Sequence, residues 1–289
     1  MKVEERLFQK KQAVEQELRR ILSQEEDLLF QTMRHAVFSG GKRFRPLLVL
    51  SAGECFGVSQ EVLLPFACAL ELIHNYSLIH DDLPAMDNDD FRRGEPSCHK
   101  AYGEDIALLA GDSLLTLAFE VLARAHLEER LQPKKEQVIT EISRLAGVEG
   151  MIGGQLMDIT LTPLETTEKA FYELALKKTG ALIVASVKTG AILGEASASQ
   201  LEAMVNYGRN VGLAFQIRDD ILDSIKEERK EGPFRPNSVL LFGLEDSKRR
   251  LKEFVEAAKM SLAAASLDSE ELRYLASKLL ELGNKNENE

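Results

Sequence analysis

Along most of this chain apolar residues recur every three or four positions, while the strict alternation of a half-buried strand is nearly absent. Leu-, Ala-, Glu- and Lys-rich stretches carry the pattern and few β-branched or aromatic runs interrupt it. The periodicity predicts helices over residues 3–23, 28–38, 45–56, 60–80, 105–128, 134–149, 168–194, 200–225, 244–264 and 269–282. Pro133 and Pro163 mark expected loops, and the polar stretch 283–289 reads as a frayed tail. No linker-like run of Pro, Gly and Ser divides the chain, so residues 1–289 are expected to form one all-α domain that opens with the helix over 1–23.

The pattern is violated twice, in the same manner. Asp81-Asp82-Leu83-Pro84-Ala85-Met86-Asp87 ends one apolar helical stretch, and Asp219-Asp220-Ile221-Leu222-Asp223 ends another. Asp219 and Asp223 are four apart and share a helix face, with Asp220 beside them. An acidic pair on a helix is ordinarily a solvated face. These two emerge instead from apparently buried helices, where an unpartnered carboxylate is costly. Two like charges ~4 Å apart repel by roughly 4 kcal/mol at an effective dielectric near 20. Six carboxylates at one cleft need cations, and hard oxygen ligands with room for phosphate oxygens suit Mg²⁺.

Composition changes the picture only at its edges. The chain has 289 residues, a formal charge of −11, 44% hydrophobic residues and no Trp. The acidic balance argues against nucleic acid, and against a diphosphate too unless metal ions reverse the local field. Cys55, Cys68 and Cys98 are too few and too scattered for a disulfide framework or a zinc site, and Cys55 and Cys68, in apolar stretches, read as small core residues. No signal core and no apolar run of membrane-spanning length is evident, so stable membrane insertion is not expected and a reducing cytoplasm is.

Cationic groups accompany the aspartates. Gly40-Gly41-Lys42-Arg43-Phe44-Arg45-Pro46 puts a flexible turn and three cations at an expected helix start, where free N–H groups welcome anions; an ordinary basic helix start is the plainer alternative. Phe91-Arg92-Arg93-Gly94 sets two guanidiniums beside the first cluster, either to neutralise it or to fork onto phosphate oxygens. His74 precedes Asp81 on nearly the same face, ~10 Å along the axis. Gln155, Lys177, Lys178, Thr179 and Gln216 are polar residues inside helical patterns, each weak alone. The His80-Asp81 dipeptide raises a metal phosphohydrolase of the HD type, but that scheme needs more histidine ligands and leaves the second cluster without a role.

Taken in order, Gly40 to Pro46, the first cluster with Arg92-Arg93, Gly154-Gln155, Lys178-Thr179 and Phe215-Gln216-Ile217-Arg218-Asp219-Asp220-Ile221-Leu222-Asp223 resemble the motif set of trans-isoprenyl diphosphate synthases. The run His74-Asn75-Tyr76-Ser77-Leu78-Ile79-His80-Asp81-Asp82 resembles the bacterial farnesyl diphosphate synthases in particular. The resemblance implies roughly ten antiparallel helices around a deep cavity, and a homodimer. It implies three Mg²⁺ ions held by Asp81, Asp82, Asp87, Asp219, Asp220 and Asp223 against an allylic diphosphate. It assigns isopentenyl diphosphate to Lys42, Arg45, His74 and Arg93, and the allylic partner to Arg92, Lys178, Thr179 and Gln216. Tyr76, about 7.5 Å below Asp81 along the helix axis, would close the pocket at a fifteen-carbon product.

The likeness breaks after the second cluster. Such synthases follow it with a loop bearing Gly-Lys and then a Lys-x-Thr-Tyr stretch, whereas this chain runs through Lys230, Pro233 and Arg235 to Val239 with residues apparently deleted. Pro233 offers neither charge nor donor, so either Lys230 or Arg235 replaces the cation or the allylic diphosphate binds more weakly. Alternatives within the same chemistry are a twenty-carbon product or a weakly active regulatory subunit. A class I terpene cyclase fits less well, because it has no use for the basic site at residues 40–46.

Overall fold

The computed structural model describes residues 2–23, 27–163, 165–225 and 235–282, and these are overwhelmingly helical. The helices are α1 (Val3–Ile21), α2 (Leu28–Phe38), α3 (Phe44–Glu54), α4 (Gln60–Asp81), α5 (Cys98–Tyr102), α6 (Glu104–Arg124), α7 (Gln132–Ala146), α8 (Met151–Thr160), α9 (Glu168–Ala175), α10 (Ala181–Leu193), α11 (Ala198–Ile225), α12 (Ser238–Phe242), α13 (Leu244–Ala264) and α14 (Glu270–Lys278). Several starts follow from capping chemistry. Asp27 accepts from Phe30 N, Thr167 from Ala170 N, and Ser269 from Leu272 N, each satisfying an amide that the first turn leaves free.

Two apolar cores meet along α10. Val14, Met33, Leu70, Ile73, Leu114 and Ile142 represent the first, built from α1, α2, α4, α6 and α7. Leu48, Ile183, Val211, Leu251 and Leu272 represent the second, from α3, α10, α11, α13 and α14. α10 is buried on nearly every face, as expected of a helix that is apolar all round and runs through the interior.

The expected helices over 28–38 and 244–264 match α2 and α13. Elsewhere local chemistry overrode periodicity. The single helix expected over 168–194 is broken by a π-helical turn, Leu176–Gly180, between α9 and α10. α8 was missed because Gly153 and Gly154 weaken its helical signal, and the short α5 and α12 were missed as well. A two-residue hairpin, Phe91–Arg92 with Glu95–Pro96, was also missed. Pro133 lies in the first turn of α7, where its lost N–H costs nothing, so the expected loop there is corrected. The expectation about apolar runs is corrected too: α4 and α6 have the length and hydropathy to cross a membrane. α4 is instead mostly buried in the core, whereas α6 leaves Leu108 and Leu109 exposed. Cys68 and Cys98 are buried, Cys55 is half-buried, and all three are free thiols.

Candidate active site

Both aspartate clusters stand at helix C-termini. Asp81 is the last residue of α4 and Asp82 its C-cap, while Asp219, Asp220 and Asp223 occupy the last two turns of α11. A helix C-terminus carries the negative end of the macrodipole, so carboxylates there compound the demand for cations. Burial pushes Asp81 up to about 6, with Asp87 and Asp82 adding to the effect against Lys178 and Arg92. Asp219 rises to about 7, mainly through its position deep in the fold and then through Asp223 and Asp220, with Arg218 opposing. Its side chain nevertheless keeps 46% of its surface accessible, as a ligand group must. Burial lifts Asp220 to about 6 despite hydrogen bonds from Ser238 and Gln216.

Groups from the π turn, α8 and the segment leading into α12 tie the clusters together. Thr179 Oγ1, in the π turn, donates to Gln216 Oε1 at 2.6 Å, and Gln216 Nε2 donates to Asp220 Oδ1 at 3.0 Å. The Ser238 amide, at the start of α12, donates to Asp220 Oδ2 at 2.7 Å. Lys178 Nζ lies 2.5 Å from Asp158 Oδ2 on α8. Arg235 reaches both Asp87, at 2.9 Å, and Asp158, at 3.5 Å. Asp158 is therefore a site residue that sequence reasoning missed; its signal was the Gly154-Gln155 pair just upstream. Gln155 has a buried Nε2 without a hydrogen-bond partner.

The π turn owes its position to Gly154. A Cβ there would lie 2.2 Å from Lys178 N and 2.6 Å from its Cα, so only glycine lets α8 touch that backbone. π turns occur disproportionately at functional sites, and this one presents Lys178 and Thr179 together.

The basic site is also assembled. Arg93, at the hairpin turn, donates through Nη1 to Gly40 O at 2.6 Å, and its guanidinium lies so close to Gly41 that a Cβ would meet Cζ at 3.1 Å. Arg45, in the first turn of α3, is 8% exposed, and its buried Nε has no partner. Burial lowers Arg45 to about 10, opposed by Glu71 and Asp219. Burial and then Arg45 and Arg93 hold His74 well below the usual histidine range, so it faces the site as a neutral imidazole. Lys42 is exposed beside them. Arg92 is committed to Asp82 and to Asp89, the neutralising alternative, so a diphosphate would have to compete for it.

Tyr76 is buried on α4, edge-on to His80 with ring centroids 5.6 Å apart. Burial, with Asp81 adding, pushes its hydroxyl up to about 12. Lys230, Pro233 and the tail 283–289 lie outside the described residues.

Among the described residues no group of three or more His, Cys, Asp or Glu side chains is gathered closely enough to hold a metal by itself. The aspartates are spread around the site rather than closed into a cage. That arrangement suits Mg²⁺, which keeps few protein ligands and completes its octahedron with substrate phosphate oxygens and water.

The polyprenyl synthetase family model matches residues 26–234. The chain is 41% identical over 286 residues to a farnesyl diphosphate synthase of Geobacillus stearothermophilus, covering 95% of this chain and 96% of that protein. It is 39% identical over 265 residues to a geranylgeranyl diphosphate synthase of Cyanophora paradoxa, covering 88% and 87%. The solved structure of an FPP/GFPP synthase from Zymomonas mobilis superposes with a TM-score of 0.85 at 34% identity, covering 96% of this chain and 98% of that one.

Proposed function

This chain belongs to the polyprenyl synthetase family, and from that membership and the site above we infer that it is a prenyltransferase making farnesyl diphosphate from isopentenyl and dimethylallyl or geranyl diphosphates. The observation that carries the reading is the pair of carboxylate clusters at the ends of α4 and α11, bridged by Lys178, Thr179, Gln216 and Arg235. Asp81, Asp82, Asp87, Asp219, Asp220 and Asp223 are the proposed holders of Mg²⁺, three ions in all. When bound, Mg²⁺ neutralises charge on the allylic diphosphate and favours its departure.

The chain's own residues then have distinct tasks. Lys178, Thr179, Gln216 and Arg235 orient the allylic diphosphate, with Arg92 joining when it leaves Asp82. Lys42, Arg45, Arg93 and neutral His74 hold isopentenyl diphosphate so that its double bond faces the allylic C1. The allylic C–O bond breaks, a C–C bond forms head to tail, and the proton lost restores the double bond and leaves with the diphosphate. Donors fixed before reaction stabilise that developing charge without reorganising.

A homodimer is proposed on the exposed apolar stripe Ile152, Leu156 and Ile159 of α8, together with Leu108 and Leu109 of α6, which soluble helices rarely leave uncovered. Light scattering of the purified protein tests it. Three free cysteines suit the cytoplasmic setting proposed for it.

The deciding experiment incubates purified protein with Mg²⁺, dimethylallyl diphosphate and labelled isopentenyl diphosphate, then separates the dephosphorylated products by length. Farnesol as main product supports the reading. Geranylgeraniol keeps the chemistry and moves the product to twenty carbons; no product from folded protein overturns it.

A further inference from the structure

Arg43 stands between Lys42 and Arg45 in sequence but does not share their setting. Its side chain is 1% exposed, and its backbone is left-handed with φ 52°, a conformation that is strained for a non-glycine residue. Surrounding contacts hold it there. Nε donates to Glu15 Oε1 on α1 at 2.7 Å, Nη1 to Glu71 Oε1 on α4 at 2.9 Å, and Nη2 to Val37 O in the last turn of α2 at 2.7 Å. Each of its three nitrogens is engaged within the fold, and burial keeps the side chain from reaching a ligand.

Glu71 explains the arrangement. It is 2% exposed and lies one turn before His74 on α4. It is also the foremost attractive charge acting on both Arg45 and Arg93. A buried guanidinium beside a buried carboxylate ordinarily pairs with it, because an uncompensated buried charge is expensive. Arg45 makes no ion pair among the described residues, and Glu71, the carboxylate that acts on it most, is already taken by Arg43.

We propose that Arg43 is a positioning residue that sequesters Glu71, keeping Arg45 and Arg93 available to a substrate diphosphate. The proposal rests on the reading that isopentenyl diphosphate binds at Lys42, Arg45, His74 and Arg93. A glutamate this near the site would otherwise compete with the substrate for the same guanidiniums.

The test is steady-state kinetics on the whole protein with Mg²⁺, varying isopentenyl and geranyl diphosphates separately. Arg43→Gln raises KM for isopentenyl diphosphate roughly tenfold, with kcat and the geranyl KM within about twofold. Adding Glu71→Gln to that variant returns the KM to within about threefold of wild type, a coupling that a purely structural brace does not give. If Arg43→Gln folds poorly, Arg43→Lys serves instead. It keeps a cation on Glu71, and it retains the isopentenyl KM while lowering Tm. The proposal is overturned if the double variant stays as impaired as Arg43→Gln, if both substrates' KM values rise together, or if Arg43→Lys alone loses isopentenyl affinity. Lys42→Ala separates the premise: an unchanged isopentenyl KM there removes the site reading, and the proposal with it.

Discussion

Arg235 Nη2 donates to Asp87 Oδ1 at 2.9 Å, although the two residues are 148 positions apart. The contact brings a cation from the segment before α12 onto the first aspartate cluster, and Asp158 receives the same guanidinium. This is where the chain departs from the synthases it resembles, and the contact supports the proposal that Arg235 takes the role of the missing lysine. Arg235→Ala is expected to raise KM for geranyl diphosphate about tenfold, equivalent to about 1.4 kcal/mol. Arg235→Lys should recover most of that loss, and an unchanged KM in the alanine variant would count against the assignment.

Gly154→Ala is the sharpest steric test. The new methyl would overlap the Lys178 backbone, which has no flexible end to move aside. A loss of about 1–3 kcal/mol of stability is expected from overpacking. The π turn should shift with it, so thermal unfolding and turnover of the allylic substrate fall together. Preserved turnover would mean that the turn is not required.

Replacement of Tyr76 by alanine removes the aromatic ring below Asp81. Product analysis should show the main chain length moving beyond fifteen carbons, with little change in the rate of the first condensation. An unaltered product distribution would leave Tyr76 as a core residue and nothing more.

A pH signature follows from the raised carboxylates. Asp81, Asp219 and Asp220 sit at about 6, 7 and 6 in the fold, above the ordinary aspartate value. The folded state therefore binds more protons than the unfolded one between roughly pH 4 and pH 7, and their stabilising share is lost as pH rises through that window. Mg²⁺ competes with those protons, so its stabilising effect should grow with pH. Melting curves in Mg²⁺ and in chelator at pH 5.5 and pH 8 are expected to separate further at pH 8. Asp219→Asn should shrink the gap, and an equal gap at both pH values would contradict the account.

Much of this site could be read from sequence because its chemistry violates the apolar pattern. Asp81 and Asp219 interrupt helices that should be greasy, and Gly40-Gly41 marks a close approach that Arg93 fills. What stayed hidden depended on tertiary contact. Gly154 reads locally as a poor helix former, and its worth emerges only against the Lys178 backbone. Asp158 is one more acidic residue until Lys178 and Arg235 converge on it. Arg43 looked like a member of a basic cluster, and only its three acceptors within the fold show otherwise. The helix over 168–194 was right in extent and wrong in winding, since apolar spacing alone does not distinguish one π turn inside a longer helix.

α4 and α11 both end in carboxylates at their negative poles, so each proposed ligand improves the setting for the other. A bare diphosphate meets repulsion there, and a cation held by aspartates alone still lacks the phosphate oxygens that would complete its shell. Binding of the two is therefore thermodynamically linked, and such linkage is reciprocal. Whatever factor the diphosphate adds to cation affinity, the cation must add to diphosphate affinity. If Mg²⁺ is the cation, as proposed, its free concentration in the surrounding medium is expected to act as a gain control on prenyl transfer, set by the polarity of two helix ends.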